Sequence, residues 1–527
     1  MIRLRPASRL LSLLPLALVT TVGACAVDSN GTQESDLTSN TALARTLTFE
    51  GYVYVAPGMS DEAVLAVVHK QTQTMFGPLK NAEIGVNKRE LQGVDPATFQ
   101  RTELTVYDTT DPNAPGEPIE QVRYRYEDTA VVPVSMAERS SITLAVMHPE
   151  HWRQSQRILE ECTTNDSHAR DFASSVWYVF DPGLPQCQAA ITAEQQAIDA
   201  ENAKLADLTL EVSRAEVDRL YLPTTVSLGS DVTNHATVYP EYHRLFSGGV
   251  EPGKLVIGMV NGLIDHEHDG GLHKDYGYKE YLRELGEALD GGPPYRVTAV
   301  DPPEDLSTFT VGDVTLTGVT IYDIIAWETD SQLPAGLDWS DRDALSEAIG
   351  AKLIRHWITL EAPVQVAMGQ EPAQDFTIKI NGYFGAESNS TPHKRAIRTS
   401  DVFIYNGHSY IGYGPLDPSR FSPSDFPESY QIFFIDGCVT FNYYERDYLP
   451  LKPGGTANLD LITNGLEAPS WRSGYALGRF INALVSGTQP SYGELLAAAS
   501  ATDELRVVDG ELDNVYSPEQ TPIQVSW

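Results

Sequence analysis

The second half of the chain is built from unbroken apolar runs that stop on glycine. Residues 254–262 read Lys-Leu-Val-Ile-Gly-Met-Val-Asn-Gly, and residues 401–408 read Asp-Val-Phe-Ile-Tyr-Asn-Gly-His. Residues 430–438 read Tyr-Gln-Ile-Phe-Phe-Ile-Asp-Gly-Cys. Runs of this kind, without polar alternation, predict strands covered on both faces, as in a parallel sheet. Helical periodicity separates them at 276–289, 341–357, 471–484 and 491–499, and further strands are predicted at 295–300, 314–325 and 376–383. Strands alternating with helices predict an α/β domain over 238–527 with a doubly wound, mostly parallel sheet.

The first half reads differently. Residues 46–55 are β-branched and aromatic, and 103–107, 121–126 and 141–147 alternate apolar with polar, so all four are predicted strands. Ser60-Asp61-Glu62 is a helix start, with acids in the first turn. This predicts a smaller α+β domain over 45–187. Good helix formers with periodic apolar positions from 188 to 220 predict a long helix, placed in a linker over 188–237.

Length and charge narrow the classes. A chain of 527 residues exceeds one hydrophobic core, so two or more domains are expected, and an apolar share of 42% is enough to fill them. The net charge of −35 repels phosphate backbones and argues against a nucleic-acid partner. The N-terminus carries Arg3, Arg5 and Arg9, then a short apolar run over 10–19, then Val22-Gly23-Ala24 ahead of Cys25. This is the layout of an export signal over 1–24, too short for a comfortable membrane span. The placement of Cys25 resembles a bacterial lipobox, which implies a lipidated Cys25 as first mature residue. The mature protein would then be a lipoprotein anchored in the bacterial cell envelope, periplasmic or surface-facing. Residues 25–44 are rich in Ser, Thr, Asn and Asp and read as a flexible tether.

Three cysteines then remain. Cys162 and Cys187 are near in sequence and, in an oxidising compartment, most simply form a disulfide. Cys438 is left as the odd thiol, either reactive or packed as a small inert hydrophobe.

Cys438 ends one apolar run and His408 ends another. A thiolate nucleophile needs a neighbouring imidazole to take its proton, and backbone N–H groups to hold the developing oxyanion. Gly407, Ser409 and Gly437 flank the two residues and supply such backbone. An apolar strand ending in His, followed by one ending in Cys, resembles the caspase-like cysteine peptidases, the clan of caspases, legumains, gingipains and clostripain. The blocks that carry it are Val402-Phe403-Ile404-Tyr405 before Asn406-Gly407-His408-Ser409, and Ile432-Phe433-Phe434-Ile435 before Asp436-Gly437-Cys438. The resemblance, confined to the C-terminal half, implies an α/β sheet with a His–Cys dyad at adjacent strand ends. His408 would be the general base and Cys438 the nucleophile, with no cofactor. Two positions depart from the family pattern: Ser409 stands for Gly after His, and Gly437 for Ala before Cys.

Other constellations compete. His266, His268 and His273, with Asp265 and Asp269, form a stretch that suits Zn²⁺ or another imidazole-loving metal, or a polar loop. Phe441, Tyr443, Tyr444 and Tyr448 fit either a substrate wall or a packed helix. No Gly-rich phosphate loop, Gly-x-Ser-x-Gly elbow or His-Glu-x-x-His helix is present. The sequence therefore predicts an exported cysteine peptidase acting on peptides. A non-catalytic envelope lipoprotein on the same fold, and a metal-dependent hydrolase using the His266–His273 stretch, remain as alternatives.

Overall fold

Burial on both faces is what makes the central strands the most apolar segments of this chain. The computed structural model describes residues 37–87, 91–110, 115–164, 166–205, 211–265, 271–330, 332–386, 389–500 and 504–527. The segment predicted as an export signal, Cys25, and the pair His266 and His268 lie outside these residues. Residues 35–527 form one compact unit.

The first half folds around a seven-stranded sheet. Its strands are β1 (Ala42–Val55), β2 (Gly85–Val86), β3 (Gln100–Tyr107), β4 (Glu117–Pro133), β5 (Ser141–Met147), β6 (Glu211–Ser213) and β7 (Tyr221–Asp231). They run in the order β5-β7-β1-β4-β3-β6, with β2 beside β4. The spine is the long antiparallel pair β1–β4, in register from Ala42↔Pro133 to Val55↔Glu120. Leu47, Phe49 and Val53 alternate inward from β1, and Val122, Tyr124 and Tyr126 from β4. Helix α1 (Asp61–Thr72), capped by Ser60, places Val64 and Val68 in the same core. Helix α2 covers Pro185–Lys204. The helix predicted over 188–220 thus stops sixteen residues early, because the apolar positions beyond it serve other partners. Val212 and Val217 join Val106 of β3 in a small cluster of their own. The stretch read as a linker also contains β7, which lies between β5 and β1 inside the sheet.

The second half carries a ten-stranded sheet. Its strands are β8 (Lys254–Gly262), β9 (Arg296–Asp301), β10 (Trp357–Met368), β11 (Gln374–Ala386), β12 (Val402–Asn406), β13 (Gln431–Asp436), β14 (Leu459–Asn464), β15 (Arg506–Asp509) and β16 (Ile523–Ser526). From the two-residue strand Leu37–Thr38 the order runs β15-β14-β13-β12-β8-β11-β10-β9, with β16 beside β10. The five strands β14-β13-β12-β8-β11 are mutually parallel. Their flanks are antiparallel, so the sheet is mixed α/β and parallel only at its centre, not mostly parallel.

Helices cover both faces of the central strands. On one face α3 (Tyr276–Leu289) brings Tyr281 and Leu285 onto Ile257, Met259, Ile404 and Phe434. On the other, α4 (Thr391–Thr399) and α5 (Thr440–Tyr448) bring Ile397, Tyr444 and Tyr448 onto Phe403, Tyr405 and Phe433. That second cluster continues without a break into the core of the first sheet. Helix α6 (Ser470–Val485) packs beside α3. The strand predicted over 314–325 ends at Thr317; Ile321–Thr329 is a helix, started by a Thr320–Asp323 capping box.

Several carboxyls are buried in this half. Asp460 of β14 accepts hydrogen bonds from the hydroxyls of Tyr430 and Tyr492, and from Asn514 Nδ2 at 2.6 Å. Burial outweighs these donors and raises its pKa from 3.8 to about 7. Burial likewise raises Glu284 to about 8 and Asp401 to about 6. Each group keeps a proton in the folded state that the unfolded chain releases near pH 4, so stability falls as pH rises from about 4 through 7. We predict a higher melting temperature at pH 5 than at pH 8. Asp460→Asn should reduce that difference, since Asp460 alone accounts for up to about 3 kcal/mol of it between pH 5 and pH 8. A thermal melt series in both buffers checks this, and a variant whose pH dependence equals wild type contradicts it.

Candidate active site

The sequence offset between the two apolar runs is the register offset of the two strands. Strands β12 and β13 pair in parallel from Val402↔Ile432 to Asn406↔Asp436, thirty residues apart at every rung. His408 and Cys438 each stand two residues past the last rung. Both lie at the carboxyl ends of parallel strands. The strand order β11-β8-β12-β13-β14 reverses direction between β8 and β12, the place where open α/β sheets open a ligand crevice.

A cleft of about 880 Å³ opens there, and His408, Ser409, Gly437 and Cys438 line it. Tyrosines pin its floor. The hydroxyl of Tyr405 donates to the carbonyl of His408 at 2.8 Å, and that of Tyr444 to the carbonyl of Ser409 at 3.1 Å. Tyr443, Tyr444 and Tyr448 are thus buried parts of a packed helix rather than an open substrate wall. Asn464 Nδ2 donates to Asp436 Oδ1 at 2.5 Å and to the Gly437 carbonyl at 3.2 Å. Arg506 stands 3.5 Å from the same Asp436 oxygen.

The backbone around the pair is strained. Val439, directly after Cys438, is left-handed at φ 52°, and Tyr410 and Ile411, just after Ser409, are at 51° and 53°. Such angles are costly for a β-branched residue and cluster at sites that hold a side chain in a special direction. Gly437 answers a close approach: a Cβ there would stand 2.8 Å from the Gly407 carbonyl oxygen and 3.7 Å from Ser409 N. The Ala of the family pattern would not fit without a backbone shift. The same contact places the Ser409 N–H beside the residue preceding Cys438. Neither Ser409 N–H nor Cys438 N–H hydrogen-bonds to a described residue.

The imidazole is oriented by backbone. His408 Nε2 lies 2.8 Å from the carbonyl oxygen of Ile264, just past β8. A carbonyl only accepts, so Nε2 carries the hydrogen and, in the neutral ring, Nδ1 is left as the proton acceptor. The half-buried thiol of Cys438 rests against the Ala468 carbonyl at 3.9 Å. Burial pushes its pKa up to about 12, Glu467 adds to this, and Lys80 opposes it. In this state Cys438 is a neutral thiol.

The sequence did not point to the rest of the cleft. Asp171, Phe172 and Tyr178 come from the first half, and Glu467 and Trp471 from the approach to and first turn of α6. The aromatic run Phe172, Trp177, Tyr178 between two cysteines was the available signal. Cys162 and Cys187 are bonded as expected. His273, the described member of the histidine stretch, is buried with Nε2 3.3 Å from Asp343 Oδ1. No group of three or more His, Cys, Asp or Glu among the described residues is arranged to hold a metal ion.

The close approach at Gly437 makes a prediction. Gly437→Ala should cost about 1–3 kcal/mol through overpacking of the two strand ends. Urea unfolding monitored by tryptophan fluorescence measures it, and an unchanged midpoint speaks against the contact. Comparison with known protein families, with curated proteins and with solved structures returned no match.

Proposed function

We propose that this cleft hydrolyses peptide bonds, with Cys438 as nucleophile and His408 as base. The observation that supports the reading is that an imidazole and a free thiol follow the ends of two paired parallel strands and line one cleft. The resemblance to caspase-like cysteine peptidases rests on the same residues, and a parallel centre with helices on both faces is compatible with it.

The chemistry follows from the groups present. On substrate binding the Cys438 proton passes to His408 Nδ1 and the sulfur attacks the scissile carbonyl carbon. The oxygen that takes the charge is met by the N–H groups of Ser409 and Cys438, neither of which has a described partner to give up. His408 returns the proton to the departing amine, leaving a thioester. Water, losing a proton to His408, then releases the acid and restores the thiol. The raised thiol pKa makes this a site that ionises on demand rather than one that stores a thiolate. Under the same proposal, an export signal over 1–24 and a lipidated Cys25 would put the activity in the cell envelope.

A second reading is a binding cleft without catalysis. The neutral thiol and its contact with the Ala468 carbonyl favour it.

A fluorogenic peptide library separates the two. Wild type should cleave a subset, while Cys438→Ala and His408→Ala should each lose at least about 10³-fold in kcat/KM at unchanged melting temperature. Equal residual activity in all three proteins would end the peptidase reading.

A further inference from the structure

The loop that orients His408 is itself held in place by a buried acid outside the His–Cys pair. Strand β8 leaves the sheet at Gly262, so the peptides that follow have no ladder partner. Their N–H groups turn instead to Asp275, the N-cap of helix α3. Its Oδ1 accepts from Ile264 N at 3.1 Å and from Gly277 N at 2.7 Å, and its Oδ2 accepts from Asp265 N at 3.1 Å. Asp275 is fully buried. A capping side chain ordinarily serves the first turn of its own helix. This one also grips a loop ten and eleven residues upstream.

The bond to Asp265 bears on the imidazole. The N–H of Asp265 and the carbonyl of Ile264 belong to one planar peptide unit and point in opposite directions. That carbonyl is the group to which His408 Nε2 donates at 2.8 Å. The carboxylate therefore sits at one end of a peptide and the imidazole at the other. Hydrogen bonds in such a chain polarise one another, so accepting from the N–H makes the Ile264 oxygen a better acceptor. A protonated ring gains more from that acceptor than a neutral one. The bond to Ile264 N fixes the preceding peptide as well, which stops the carbonyl from rotating away.

Packing around this contact is tight. A Cβ on Gly277 would stand 2.5 Å from the Gly262 carbonyl oxygen and 2.9 Å from Asp275 Oδ1, so the start of α3 is pressed against the end of β8. Tyr276 N donates to Asp265 Oδ2 at 3.2 Å and ties the same loop to the helix a second time. On its other sides His408 meets the Tyr410 ring edge-on at 5.7 Å, and the Tyr405 hydroxyl holds its carbonyl.

We propose that Asp275 is a positioning residue of this cleft: acting through the 264–265 peptide, it sets the tautomer and direction of His408 and supports the ring when it takes the Cys438 proton. The proposal rests on the reading of His408 as base, but its first readout needs no turnover. The full chain is prepared with isotope-labelled histidine, and a long-range nitrogen–proton NMR spectrum shows which ring nitrogen of His408 carries the hydrogen. His408→Gln identifies the signal. In wild type His408 should be a single Nε2–H tautomer, and in Asp275→Ala a mixture. With a cleaved peptide, Asp275→Ala should lower kcat at least about tenfold and change KM less than about twofold. Asp275→Asn keeps one oxygen for Ile264 and Gly277 but sets an amide against the Asp265 N–H. It should disturb the tautomer with a smaller loss of melting temperature, and it alone decides if Asp275→Ala does not fold. Ser60→Ala removes the cap of α1, outside the cleft, and should leave both readouts as in wild type. A mixed or Nδ1–H tautomer in wild type, an unchanged His408 signal in Asp275→Asn, or the same disturbance in Ser60→Ala would each overturn the proposal. A tautomer that depends on Asp275 in a protein without Cys438-dependent cleavage would remove the peptidase reading alone. Cleavage that needs His408 but is indifferent to Asp275 would remove the positioning role alone.

Discussion

Parallel pairing of β12 with β13 is the constraint on which the candidate site depends. A parallel ladder has no freedom to slide once both faces of its strands are buried, because a one-residue slip would exchange the two faces. Phe403 and Phe433 face one core, Ile404 and Phe434 the other, and both sets are fully buried. The apolar residues that make these strands insoluble on their own thereby fix the level of His408 against Cys438. Placement of the polar pair is a by-product of hydrophobic packing on both sides of the sheet.

Much of this was legible in the chain, for a physical reason. The predicted bounds 254–262 and 276–289 coincide with β8 and α3, where the pattern is unambiguous: a strand covered twice, and a helix with one apolar stripe. The His408 and Cys438 runs were equally plain. What escaped were elements whose signal is set by distant partners. β10 alternates burial along its length and contains Pro363, which falls in the gap between its partners β9 and β16, and it was not anticipated. The tail of the helix predicted to 220 was misread because apolar periodicity cannot tell which core will receive the side chains. The same limit hid the cleft's far wall. Nothing local to Asp171 or Phe172 announces a neighbour in the second half of the chain.

Electrostatics and geometry pull in different directions around Cys438. Strained residues on both sides hold the thiol and the imidazole in place, and free N–H groups stand ready nearby. Yet the surroundings are acidic and dry, which favours the uncharged thiol. Burial raises the carboxyls of Asp401, Glu284 and Asp460, whereas Asp436 and Glu504 share Arg506.

The unbroken apolar cluster that joins the two sheets has a temporal meaning. In a chain synthesised from its N-terminus, the residues around Asp171 emerge long before Cys438, and Trp471 and Arg506 come later still. The strand ends, their pinning tyrosines and the first-half wall of the cleft come from segments more than two hundred residues apart in the chain. Long-range pairing of this kind is slow to form and is lost as a whole. Thiol and cleft therefore depend on segments drawn from the whole length of the chain.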